Sequence, residues 1–308
     1  MNPQIKYLTP GTYNILSILF HSYSTIYSGG AMYFDNIGIK TYVWDCSFFS
    51  CSASNTDSRG GAIAVSNINV FDMRRICFSN CFGTYGSSFV LLAHVCTVNE
   101  MVVTYTSEVN GVSNQHGPCP GSKNYIDFGY NNHSRTSAPV YCGGYLFLDA
   151  PVLSTVRYSQ VCDSYTACLV SMYITKESIC YDRWNMINNT LVSGSLNGGW
   201  VQIHNQNTKV QLNNLVFLKN NMIGKIFNMY GSSATLTLNF CSVDQDLSVS
   251  FFSNCIKNSC ISNNNPYLNN FAIYKSYLCI GTNVKPTPHH SIRPYTAVLY
   301  TLTNILLN

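Results

Sequence analysis

Charge is scarce in this sequence. Only 10% of its 308 residues are Asp, Glu, Lys or Arg, against roughly a quarter in an ordinary soluble domain. The net charge is +4 and the densest basic spot is Arg74-Arg75. Nucleic-acid binding needs clustered cations, so no nucleic-acid partner is expected. The acidic residues are scattered, and Asp244-x-Asp246 is their closest pair. A glycosidase or lyase groove stacks carboxylates on one face, and Asp35 and Asp45 meet Ser66 and Ile76 one repeat later. No apolar run reaches the ~18–20 residues of a spanning helix. The N-terminus carries Pro3 and Pro10 and lacks the basic region of a signal peptide. No C-x-x-C occurs among the 14 cysteines, which removes zinc-ribbon and thioredoxin readings. No G-x-x-x-x-G-K-[ST] phosphate loop is present, and 3.6-residue periodicity is poor.

What remains is a hydrophobic fraction of 46% with Asn, Ser, Thr and Tyr as the polar complement. This composition suits strands and turns, not helix or disorder. The closest cysteine pairs are Cys46/Cys51, Cys77/Cys81 and Cys255/Cys260. Most cysteines are expected to act as small buried hydrophobes, although an even count also permits disulfides. Asn132-His-Ser134 and Asn188-Asn-Thr190 are candidate glycosylation sites, at Asn132 and Asn188.

Two short patterns recur. Gly29-Gly30-Ala31-Met32-Tyr33-Phe34 aligns with Gly60-Gly61-Ala62-Ile63-Ala64-Val65. A degenerate third copy is read as Ser87-Ser88-Phe89-Val90-Leu91-Leu92, and Asn197–Asn205 holds a late relative. Asn36, Asn67 and His94 take matching corners. A second pattern precedes each copy: Phe20-x-x-Tyr23, Phe48-x-x-Cys51 and Phe78-Ser79-Asn80-Cys81, then Phe217-x-x-Asn220 and Phe252-Ser253-Asn254-Cys255. Residues 100–195 fit loosely, as if long loops interrupt them.

An apolar column recurring once per repeat is what stacked coils require, with equivalent residues roughly 4.8 Å apart. The expected fold is therefore all-β, a single-stranded right-handed parallel β-helix with loop insertions. An irregular β-sandwich or propeller is the alternative. Residues 1–284 form the solenoid. Residues 285–308 form a Pro-containing linker, Lys285 to Pro294, followed by an apolar cap or docking segment from Tyr295.

The alternation of G-G-A-[ILMV] with F-x-x-N resembles the repeats of polymorphic-membrane-protein-like β-helix proteins, first recognised on chlamydial surfaces. The form in which "FSNC" precedes "GGAI" is similar to the trichomonad right-handed β-helix surface proteins. The resemblance spans about three quarters of the chain in style, with strict matches in a few coils. It implies a surface-exposed protein of adhesion or host interaction, often with a Pro-rich stalk, of which "KPTPHHSIRPY" is reminiscent, or a membrane anchor, which here would lie outside this chain.

These readings lead to a non-enzymatic binding or structural solenoid with a protein or glycan partner along its face, and without cofactor or metal. An intracellular cytoskeletal or axonemal spacer and a carbohydrate-active enzyme are the alternatives. Cys119 near His116, the His289-His290 pair with Cys279, and His94 and His204 are read as loop and corner residues. Tyr42 and Trp44 are read first as lateral packing under a loop, with contact to a glycan or protein partner as the alternative.

Overall fold

The computed structural model describes residues 4–91, 98–148, 155–173, 178–192, 199–204, 209–221, 225–230, 235–244, 255–262 and 268–271. Phe252 and Asn254, the corner His94, and the segment 285–308 lie outside them. Among the described residues every element is a strand, and the strand pairings are parallel. The longest path runs through Gly11–Leu16, Ile39–Trp44, Val70–Ser79, Glu100–Val109, Tyr125–Gly129, Thr155–Cys162, Ser178–Ile187, Lys209–Asn213, Thr235–Asn239 and Cys255–Asn258, each beside the next. Successive parallel strands that stay adjacent make a solenoid. The chain is a parallel β-helix, and a sandwich, built from antiparallel pairs, does not fit.

Side chains alternate between inside and outside along each strand. Inward columns follow the pairing register. Phe20, Phe48 and Phe78 are mutual partners and are buried. Their rings stack at 4.7 Å and 5.2 Å. Burying each such side chain is worth about 1.5–3 kcal/mol, with about 0.5–1.5 more from stacking. Phe217 lies in the same column, between Met186 and Val243.

Each coil bends through residues with positive φ. One corner column holds Ser17, Asp45, Arg75, Tyr105, Tyr130, Tyr158, Arg183, Asn214, Phe240 and Ser259; a second holds Ser22, Ser50, Asn80, Asn110, Arg135, Asp163, Asn188 and Lys219. Left-handed conformation disfavours non-glycine residues. Backbone bonds to the neighbouring coil hold it, such as Asp45 N to Arg74 O at 3.1 Å and Asn80 N to Val109 O at 3.1 Å. The third turn uses glycine: Gly29, Gly60 and Gly86 have φ of 73°, 68° and 77°.

Two details differ from the sequence reading. Phe89, Val90 and Leu91 pair with Ile63, Ala64 and Val65, so the third copy is Gly86-Ser87-Ser88, one residue earlier than the Ser-Ser alignment. A one-residue slip exchanges the faces, and Phe89, not Val90, continues the Met32/Ile63 column. The described residues between 100 and 192 also stack as successive coils. Cys142-Gly143-Gly144-Tyr145-Leu146-Phe147 is a glycine-pair strand, disguised by register shifts that flank Cys142.

Candidate interaction surface

The outward side chains of the first corner column form a ladder of their own. Asp45 accepts two hydrogen bonds from Arg75, at 2.6 Å and 2.7 Å, and the Arg75 guanidinium holds the Asp45 carboxyl below its usual range. Next come Tyr105, Tyr130 and Tyr158, stacked at 4.6 Å and 4.8 Å. Arg183 closes the stack. Its guanidinium lies 5.2 Å from the Tyr158 ring centre and donates to the Tyr158 hydroxyl at 2.6 Å. Arg157 lies 5.6 Å from the same ring. Burial pushes the Tyr105 phenol up, with Tyr130 adding to the shift. Sequence reasoning missed this row. Its signal is a tyrosine at the positive-φ corner at 105, 130 and 158, in the span judged irregular.

The sheet face beside this corner is polar and mixed in sign. Asp72 accepts from Arg74 at 2.7 Å through both oxygens and from Trp44 Nε1 at 3.1 Å. Arg74 also lies over the Trp44 ring, 5.7 Å from its centre. Tyr42 and Trp44 are half-buried and meet edge to face at 5.9 Å. Asp72, Val102 and Asp127 share one column. Burial raises the Asp127 carboxyl, against the pull of Arg157 and Arg74. Asp35 accepts from Tyr33 and Asn67, and Asp244 accepts from the Lys219 amide. Asp35, Asp45, Asp72 and Asp244 thus have wholly different partners, and Asp246 lies outside the described residues. Among the described residues no three metal-ligating side chains converge.

The repeat-defining residues occupy the frame. Gly29 and Gly60 share one corner and Gly30 lies beside Gly61, with a Cβ on Gly30 or Gly61 reaching 2.1 Å from a neighbouring coil's carbonyl. Cys51 and Cys81 stack beside the Phe48/Phe78 ladder, the Cys51 thiol directed at Phe20 O and Phe49 O and the Cys81 thiol at Phe48 O and Ser79 O. Asn80 sits at a corner, where its side chain accepts from Asn110 at 3.3 Å. Cys255 pairs with Leu236, a different column from Cys51 and Cys81. Asn188 is exposed at its corner and donates to Asp163 at 2.7 Å, while Asn132 is half-buried on a strand. Eleven described cysteines are free thiols, seven of them buried, and Cys77 is in a disulfide.

Inside the solenoid the phenylalanine column is interrupted. Phe78 is followed by Glu108 and then His133, both buried. Ser88 donates to Glu108 Oε2 at 2.7 Å, and His133 Nδ1 lies 3.3 Å from that oxygen. His133 Nε2 contacts the Gly143 carbonyl and lies 2.6 Å from Thr136 Oγ1. Thr136 donates to Ser164 at 3.0 Å. Asn189 and Asn220 extend the chain of contacts: Asn189 Oδ1 accepts from the Ser164 amide, and Asn189 donates to Asn220. The Gly111 Cα borders Glu108, and a Cβ there would sit 2.0 Å from Oε1. Full burial keeps this network from solvent, so it is part of the frame.

His116 stacks between Tyr85, at 6.1 Å, and Tyr141, at 5.1 Å. Burial pulls both His116 and His204 down to about 4. The unfolded chain, with histidine near 6.5, therefore holds more protons between about pH 4 and 6.5. Stability is expected to fall as pH drops through this window, because unfolding then takes up protons. Urea midpoints at pH 7.5 and 5 should show the loss, and His116→Phe should shrink it. No change in the difference between the two midpoints would remove His116 from the account.

The fold and the outward ladder define a parallel β-helix with an ordered exterior. No family model, curated protein or solved structure matches this chain.

Proposed function

We propose that this chain is a non-enzymatic β-helix that works as a binding surface outside the cell, in adhesion or host interaction. The observation that carries the proposal is the Tyr105–Tyr130–Tyr158 row with Arg157 and Arg183. These side chains add nothing to the inner columns, yet they are ordered along the axis. Solenoids use such extended faces for contact with partners, and Tyr and Arg are the side chains most often decisive at interfaces. Because the rings cover one another's faces, a sugar ring cannot lie flat between them. The row offers ring edges and hydroxyls to a protein or a glycan strand. The repeat resemblance supports a surface location, and the Cys77 disulfide fits an oxidising compartment better than an intracellular scaffold.

The test is binding of the purified protein to panels of immobilised glycans and surface proteins. The triple variant Tyr105→Ala/Tyr130→Ala/Tyr158→Ala should lose at least ~100-fold in affinity, at about 1–2 kcal/mol per tyrosine, while its urea midpoint stays close to that of the parent. Unchanged binding would reject the ladder as the contact. Release of reducing sugar from a polysaccharide panel would favour the carbohydrate-active alternative, and a fully reduced Cys77 in protein isolated from its own cells would favour the intracellular one.

A further inference from the structure

The first described coil is open on its outer side. Among the described residues, the strands Ile5–Tyr7, Gly11–Leu16 and Ser24–Thr25 each pair on one side only. Their inward residues show the consequence. Ile18 is 42% exposed, whereas Cys46 and Ile76, its equivalents in the next two coils, are 1% and 0% exposed. Ile5 is 37% exposed above Met32 and Ile63, both at 0%. Leu8, Leu16 and Leu19 are exposed nearby. An unpaired apolar edge of this kind invites another strand.

Residues 268–271 step toward it. Asn269 bonds Asn185 through its backbone N–H and C=O, at 3.0 Å and 3.1 Å, and its side chain donates to the carbonyls of Trp184 and Asn214. Two residues later Phe271 packs against Tyr158, 5.8 Å between ring centres. The chain has thus stepped back by one coil toward the open edge. From Tyr158 the corner column reaches Ser17 in five coil steps, roughly 24 Å at ~4.8 Å each. Residues 272–294 can span up to about 76 Å at ~3.3 Å per residue. They lead to "YTAVLYTLTNILLN", residues 295–308, which contain no charge, proline or glycine. β-branched and aromatic residues favour this stretch as a strand.

We infer that residues 295–308 dock in the same chain as an added strand on the open edge at Gly11–Leu16. Attachment to the same chain keeps the segment at high effective concentration. Association is by main-chain pairing plus burial of Ile18 and its neighbours, the mode of β-augmentation.

Hydrogen exchange on the full chain tests this. Amides of Gly11–Leu16 that face away from the next coil should exchange at least ~10-fold faster in a chain ending at Pro294, and also in the full-length variant Leu299→Asp/Ile305→Asp. A synthetic peptide of residues 295–308, added to the shortened chain, should restore protection. Equal exchange in all forms overturns the inference. Protection of the full chain that appears only as protein concentration rises also overturns it, since a second copy would then be the occupant.

Discussion

Alanine at Gly60 or Gly61 is expected to lower the unfolding free energy by about 3 kcal/mol or more. Gly60 has φ of 68°, where a Cβ alone costs about 1–2 kcal/mol. A Cβ there would also lie 2.0 Å from the Ile63 carbonyl oxygen, and one at Gly61 would lie 2.1 Å from the Ser87 carbonyl oxygen. Both obstacles are backbone, so a rotamer change cannot relieve them. The Gly60 amide donates to Tyr85 O at 2.7 Å and the Gly61 amide to Gly86 O at 3.0 Å, so moving this corner disturbs the next coil as well. Urea denaturation should show the loss, with exposed Ser54→Ala staying within ~0.5 kcal/mol of the parent. A loss below ~1 kcal/mol at both glycines would show that the corner relaxes freely and that the glycine pair is dispensable.

The second large effect is expected in the buried pair. Glu108→Ala and His133→Ala should each cost about 2–5 kcal/mol, because either opens a cavity in the core and the loss of Glu108 also strips Ser88 of its acceptor. Glu108 and His133 occupy positions that hold phenylalanine in the coils of Phe20, Phe48 and Phe78. Glu108→Phe/His133→Phe would extend that stack, and replacing both members of a buried polar pair by apolar groups is often neutral or stabilising. The double variant should therefore lie well above the sum of the single Phe variants, with a coupling of at least ~1.5 kcal/mol. Simple additivity would mean that the two side chains do not act as a pair.

The glycine-pair and phenylalanine motifs were legible because their causes are local. A glycine corner must precede an inward-facing strand residue, and side chains alternate with a period of two. Hence Gly29/Gly60, Met32/Ile63 and Phe48/Phe78 could be aligned by eye. The third glycine copy was displaced by one residue because Ser87-Ser88 imitates the pair, while Gly86 supplies the positive φ. The Gly143-Gly144 copy escaped notice because register shifts separate it from the residues that pair before it.

The tyrosine row and the Glu108–His133 pair were not legible, for a different reason. Coil length varies: Thr104 pairs with Gly129 and Met32 with Ile63, intervals of 25 and 31 residues. Loops absorb the difference, so no constant period connects Tyr105 to Tyr130 to Tyr158, or Phe78 to Glu108 to His133. The sequence by itself determined the all-β class, the coil and the phase of its motifs, because glycine corners and two-residue alternation act within a few residues. Only the tertiary structure decided which side chains share a column, because lateral pairing between coils sets that register and loop length is free to vary.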